Sequence, residues 1–186
     1  MKETTKRYEE QMEHMSKENR DRICQKAMQY NVSLSQGSSP KNYQECLDPI
    51  GDGVMGILHI PNIEVHLPIY HGTTKEVLNE AVGHVQGSSL PIGGEDTHCL
   101  LAAHRGIPEA ELFLNLDELN IGDEFYITVL QETLTYEVCE VQRILPEDTS
   151  GLGIQSGKDK VSLITCTPRG IHSHRLVITG ERKEGK

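Results

Sequence analysis

The chain has no tryptophan and only two phenylalanines among its 186 residues. Its core must therefore be assembled from Leu, Ile and Val, as in a small β-barrel or sandwich. No apolar run approaches the roughly 18–20 residues that span a bilayer. No hydrophobic stretch follows Met1-Lys2-Glu3, so a signal peptide is not read either. Cys-x-x-Cys pairs are missing, and the five cysteines (Cys24, Cys46, Cys99, Cys139, Cys166) are an odd number. That argues against a disulfide framework or a Cys-rich zinc site and leaves at least one thiol free. Cys24, Cys46, Cys99 and Cys139 read as small packing residues, and a Cys99–Cys139 bridge is not expected. None of the nine histidines forms a helical His-x-x-x-His pair, and no loop has the spacing of a dedicated calcium site. Neither a metal nor another cofactor is called for.

Excess positive charge is lacking as well. The net charge is −10, and residues 1–23 balance six basic against six acidic side chains. The remaining 12 basic and 22 acidic residues carry the whole imbalance. Such a surface repels a phosphate backbone, which argues against a nucleic-acid partner. Internal repeats are absent.

What is present divides the chain into three parts: an N-terminal helical extension over 1–30, a loop over 31–52, and a β-rich domain over 53–186. Residues 5–28 are dense in Glu, Lys, Arg, Gln and Met without Gly or Pro. They predict one helix with a thin apolar stripe at Tyr8, Met12, Met15, Ile23 and Ala27, mostly solvated. From Tyr30 to Gly56 the composition turns to Asn, Ser, Gly and Pro. A loop of that length reads either as a linker or as a cover over a functional site.

In the β-rich part, Ile63, Val65, Leu67 and Ile69 alternate with polar residues, the two-residue period of a half-buried strand. Thr73-Thr74-Lys75-Glu76 predicts a capped short helix reaching Ala81-Val82. Cys99–Ala103 is a near-continuous apolar strand ending at His104-Arg105-Gly106-Ile107-Pro108. Phe125–Leu130 and Leu134–Leu145 form a hairpin about Glu132-Thr133, and Val161–Thr165 and Arg175–Thr179 are the last pair. About eight strands with few helices favour a closed barrel, which leaves no exposed edge.

The chemistry concentrates at Val161–Arg175. A short strand delivers Cys166 to its end, where Thr167-Pro168-Arg169-Gly170 stops it. Arg175 opens the following strand. His104 ends a buried strand in the same manner and is the leading candidate for a base. His172 and His174 are its rivals, better read as rim residues. A free thiol is only a few per cent ionised at neutral pH, so an imidazole that takes its proton makes it a nucleophile. A guanidinium stays charged throughout and can donate to a carbonyl gaining negative charge. Cys, His and Arg together form an acyl-transfer apparatus.

Leu101-Ala102-Ala103-His104-Arg105-Gly106, Leu163-Ile164-Thr165-Cys166-Thr167-Pro168 and His174-Arg175-Leu176 resemble the active-site motifs of sortases, the cysteine transpeptidases of Gram-positive cell surfaces. Gly53-Val54-Met55-Gly56, Leu67-Pro68-Ile69-Tyr70-His71-Gly72, Gly87-Ser88-Ser89-Leu90-Pro91 and Leu145-Pro146-Glu147-Asp148 are similar to the pilus-assembling class C group. The resemblance runs from about residue 50 to 182. It implies the eight-stranded sortase barrel, with Cys166 as nucleophile, His104 as acid/base partner and Arg175 as donor to the substrate oxyanion. It further implies Thr165 and Thr167 as substrate-binding residues.

The implied reaction cleaves an LPXTG-like sorting signal between Thr and Gly through a thioacyl-enzyme. A pilin Lys amine resolves the intermediate. The implied state is a monomeric ectodomain held at the membrane by segments absent from this chain. Ala102 and Ala103 replace a small hydroxyl residue and Gly common in the family, and Arg169 replaces a frequent Tyr. Class C members usually carry an Asp-Pro-aromatic lid motif. The one Asp-Pro here is Asp48-Pro49, followed by Ile50, which makes Asp48 a candidate lid anchor, with a turn former the preferred reading. The alternatives are anchoring of surface proteins to peptidoglycan and, in a different class, a non-catalytic β-barrel binding module.

Overall fold

The computed structural model describes residues 1–105 and 112–183. Eight strands close into a barrel in the order β1-β2-β3-β4-β7-β8-β6-β5. They are β1 (Val54–Ile60), β2 (Val65–His71), β3 (Val82–His84), β4 (Thr97–Ala102), β5 (Glu124–Val129), β6 (Glu132–Ile144), β7 (Asp159–Thr167) and β8 (His174–Arg182). β1 pairs with β5 and closes the cylinder, so the barrel expected from the strand pattern is the one that forms. Two pairings are parallel, β2–β3 and β4–β7; the others are antiparallel. Leu, Ile and Val fill the interior, joined by the stacked rings of Phe125 and Tyr136 at 5.6 Å. Gly180 permits that stack, because a Cβ there would meet the Phe125 ring at 2.5 Å.

Three elements differ from the sequence expectation. The extension is two helices, α1 (Lys2–His14) and α2 (Lys17–Ser35), broken where the Ser16 hydroxyl accepts from the Asn19 amide. Its apolar stripe is not solvated. Tyr8, Met12, Ala27 and Tyr30 join the core, and the Tyr8 hydroxyl donates to the Met55 carbonyl at 3.0 Å while accepting from the Leu130 amide at 3.2 Å. A thin stripe suffices because the barrel offers those two backbone groups. The helix also continues past residue 30 into the stretch expected as loop. Asn31 is buried there, its amide exchanging two hydrogen bonds with the Leu90 backbone (3.2 and 2.7 Å).

The second difference is β3, where the short helix had been expected to run on. The helix, α3 (Lys75–Glu80), ends before it, and Gly83 explains the strand. A Cβ at Gly83 would meet the Gly72 carbonyl oxygen at 2.4 Å, so only glycine lets β3 lie so close to the turn after β2. The third is the hairpin, which turns at Leu130 and Gln131, not at Glu132-Thr133. Both residues are left-handed (φ 49° and 74°), the geometry that suits strand twist, without the Asn-Gly that would have marked it.

The segment between α2 and β1 is tied to β2 and β3. Tyr43 is buried, its hydroxyl 2.8 Å from His84 Nδ1 and accepting from the Gly72 amide at 2.9 Å. His84 Nε2 lies 2.8 Å from the Ser89 carbonyl and therefore carries the proton. Burial, against the pull of the Ser89 carbonyl, lowers the His84 pKa from 6.5 to about 4. The unfolded chain accepts a proton at its ordinary value, so His84's contribution is complete above pH 6.5 and is lost as pH falls toward about 4.

The loss should reach about 3 kcal/mol. His98 acts in the same sense, whereas burial raises the Asp159 pKa and gives the opposite sign. Urea unfolding at pH 7 and pH 4.5 should therefore show a smaller pH-dependent loss for His84→Gln than for the wild type. Equal losses would remove His84 from this account.

Candidate active site

Strand alternation sets the two sides of the site. Along β7, Val161 and Leu163 enter the core, and Thr165 and Thr167 follow them inward. Ile164 and Cys166 are half-buried on the outer face. Along β8, Leu176 and Ile178 point inward, leaving Arg175 outside. Cys166 stands directly opposite Arg175 in the antiparallel ladder, and directly opposed side chains share a face. Thiol and guanidinium are thus neighbours on the outer wall near one end of the barrel.

The histidine comes from the other side of β7. β4 runs parallel to it with Ala102 opposite Ile164, and the ladder continues one step as the Ala103 amide donates to the Ile164 carbonyl at 3.2 Å. Cys99, Leu101 and Ala103 point inward, so His104 projects outward like Ala102. Two residues beyond the Ala102–Ile164 pair and just past the end of β4, His104 continues the alternation on the side of Cys166. The ends of three adjacent strands therefore bring His104, Cys166 and Arg175 into a row. The Gly106-Ile107-Pro108 expected to stop β4 lies outside the described residues.

His104 is half-buried, and its burial, with the nearby His172 ring and the Lys75 ammonium, lowers its pKa below 6.5. It is therefore neutral at pH 7 and able to accept a proton. His174 pairs with Thr167 in the ladder and so faces away from Arg175, while its Nδ1 meets Ser173 Oγ at 2.9 Å. His172 is exposed in the connecting loop at φ 58°. Both rivals lie at the rim, as expected. Arg175 Nη1 reaches only the carbonyls of His172 (3.5 Å) and His174 (3.3 Å), and among the described residues no carboxylate pairs with it.

Thr165 and Thr167 are buried behind the thiol. Thr165 Oγ1 donates to the Ala103 carbonyl at 2.8 Å, and Thr167 Oγ1 accepts from Arg105 Nη1 at 3.5 Å. Their hydroxyls hold the strand ends together. Asp48 Oδ1 accepts from the amides of Gly51 (3.0 Å) and Gly53 (3.1 Å), the geometry of a turn former. The sequence reading missed Lys75 near the histidine and passed over Arg105, although a buried Arg beside a catalytic candidate calls for a carboxylate partner. All five cysteines are free thiols, so the bridge judged unlikely does not form.

A cavity of about 530 Å³, lined among others by Glu95, Asp159, Glu181 and Arg182, opens at the opposite end of the barrel. Asp159 starts β7, seven residues before Cys166, hence about 23 Å of strand away. The cavity is separate from the three-residue row.

Residues 58–183 match the sortase domain. Among solved structures, sortase C1 from Streptococcus agalactiae superposes with a TM-score of 0.94 at 37% identity, over 99% of this chain and 100% of that one. Sortase C from Clostridium perfringens, solved with the C-terminal cell wall sorting motif, gives 0.89 at 35% identity over the whole of both chains. Among curated relatives, sortase D of Bacillus subtilis is 33% identical over 130 residues, which make up 68% of this chain and 63% of that protein. Sortase A of Streptococcus agalactiae is 28% identical over 117 residues, 47% of its length. The chain thus spans about half to two thirds of those curated relatives.

Proposed function

The chain belongs to the sortase family, and from that premise we propose that it is a cysteine transpeptidase that joins pilin subunits through their sorting signals. The observation that carries the reading is the outward row of His104, Cys166 and Arg175 at the ends of three adjacent strands. His104 takes the thiol proton, and the Cys166 sulfur attacks the Thr carbonyl carbon of an LPXTG-like signal. Arg175 donates to the oxygen as it becomes an oxyanion. Collapse breaks the Thr–Gly bond, His104 returns its proton to the departing Gly amine, and a thioester remains. A pilin Lys amine then attacks the thioester, giving up a proton as the thiol is re-formed, and an isopeptide bond results.

The likeness to class C structures supports the pilin acceptor. The backbone bonds of Asp48 and the ties of Tyr43 to β2 and β3 support a preceding segment fixed to the barrel wall. We read Asp48 as part of that wall and not as an anchor over Cys166. Family membership supports a place at the Gram-positive cell surface, with any tether supplied by segments outside this chain. Among the described residues, no helix is long and apolar enough to cross a membrane.

The test is incubation of the protein with purified pilin subunits bearing a sorting signal. Covalent ladders that survive SDS and vanish when the acceptor Lys is replaced are expected. Cleavage of the signal without ladders for any pilin, but with transfer to a peptidoglycan amine, would replace polymerisation by cell-wall anchoring.

A further inference from the structure

Behind the outward row lies a second charged arrangement that the reaction above leaves unused. Arg105 follows His104 and, by alternation, turns inward, where it is 6% exposed. A guanidinium so buried needs partners. Its Nε donates to the Leu114 carbonyl at 3.0 Å, its Nη1 reaches Thr167 Oγ1, and its Nη2 pairs with the Asp117 carboxylate. Arg169, three residues after Cys166, approaches the same two acceptors from the turn that follows β7. Its Nη2 donates to the Leu114 carbonyl at 2.8 Å and lies 3.8 Å from Asp117 Oδ1. The Phe113 amide closes the arrangement by donating to the His104 carbonyl at 3.2 Å.

One carboxylate thus holds a cation from the strand end that bears the imidazole and another from the loop that follows the thiol. We propose that Asp117, gripped by Arg105 and Arg169, is a positioning residue that sets the His104 imidazole against the Cys166 thiol; the proposal rests on the transpeptidase reading. The ladder between β4 and β7 ends with the Ala103–Ile164 bond, one residue short of His104. Beyond it, among the described residues, the Thr165–Ala103 hydrogen bond and the Arg105–Asp117–Arg169 group with Thr167 connect the two ends. A base and nucleophile displaced by about 1 Å lose on the order of 10²-fold in rate, so this connection has something to protect.

Burial works to raise the Asp117 pKa, but the hydrogen bond and charge of Arg105, with the charge of Arg169 behind it, overcome burial and hold it below the ordinary carboxylate range. The group therefore stays ionised at neutral pH. Removing its charge, and not titrating it, is the informative perturbation.

Asp117→Asn should lower kcat for a sorting peptide by about 10–100-fold with KM within about threefold. It should also shift the pH profile of Cys166 alkylation by iodoacetamide, read by mass spectrometry, toward that of His104→Ala. Asp117→Glu should recover most of both. A variant that loses stability yet keeps kcat per folded molecule and an unshifted alkylation profile would assign Asp117 to the fold alone and overturn the proposal. If Asp117→Asn does not fold, the half-exposed Arg169→Gln takes its place; a loss of about 3–10-fold is expected, and an unchanged kcat and profile would overturn the proposal. Should the wild type cleave no sorting peptide, the transpeptidase reading fails by itself. The alkylation profiles would still report whether Asp117 sets the thiol–imidazole pair.

Discussion

Cys166→Ala is expected to abolish cleavage of an LPXTG-type peptide, lowering the rate by at least about 10⁴-fold, because the step it removes is the formation of the covalent intermediate itself. No other thiol is placed to substitute. Cys99 is wholly buried, with its pKa well above the ordinary thiol value through burial and the Asp159 charge. Burial likewise raises the pKa of Cys24, Cys46 and Cys139, so each is protonated and a poor nucleophile at neutral pH.

Alanine should be tolerated at the strand rim, since Cys166 is half-buried and lies outside the core cluster. The loss should therefore appear without a change in unfolding midpoint. Mass spectrometry should find a peptidyl adduct on the wild type and none on the variant. Cleavage by the variant within tenfold of the wild type would remove Cys166 as the nucleophile, whereas no cleavage by either protein would favour a non-catalytic barrel.

Arg175 should have the next largest effect. Removing one donor to an oxyanion costs on the order of 10²–10³-fold in kcat. Arg175→Ala is expected near the upper end of that range. Arg175→Lys should fall near the lower end, because it keeps the charge and loses the planar fork. The guanidinium is free to act in this way: its described contacts are two carbonyls at 3.3 and 3.5 Å, and no described carboxylate competes for it.

A second measurement separates this role from activation of the thiol. Alkylation by iodoacetamide passes through no oxyanion, so both Arg175 variants should alkylate Cys166 within about threefold of the wild-type rate if Arg175 serves the substrate carbonyl. A fall in alkylation matching the fall in kcat would move Arg175 to the thiol.

The row on the outer face was largely legible in the sequence, because it depends on local patterns. A strand of period two followed by a turn places Cys166 at an end, and Arg175 opens the next run. His104 closes an apolar stretch in the same way. Alternation alone predicted that His174 would face away from Arg175. The barrel followed from strand count and the scarcity of large aromatics.

What escaped depends on contacts distant in sequence. The α1 stripe reads as solvated until Met55 and Leu130 present a carbonyl and an amide to Tyr8. β3 reads as the tail of a helix until Gly83 is seen against the Gly72 carbonyl. Asn31 reads as loop until it pairs with Leu90, 59 residues away.

By itself, then, the sequence pointed to the family, the barrel and the three candidate residues of the outer row, since motif and periodicity are carried by neighbours along the chain. The tertiary structure alone decided that the segment leading into His104 lies beside the one leading into Cys166, through the parallel register of β4 on β7. It also decided that Asp117 lies between two arginines 64 residues apart in the chain, because burial gives a charge its partner only once the chain has folded.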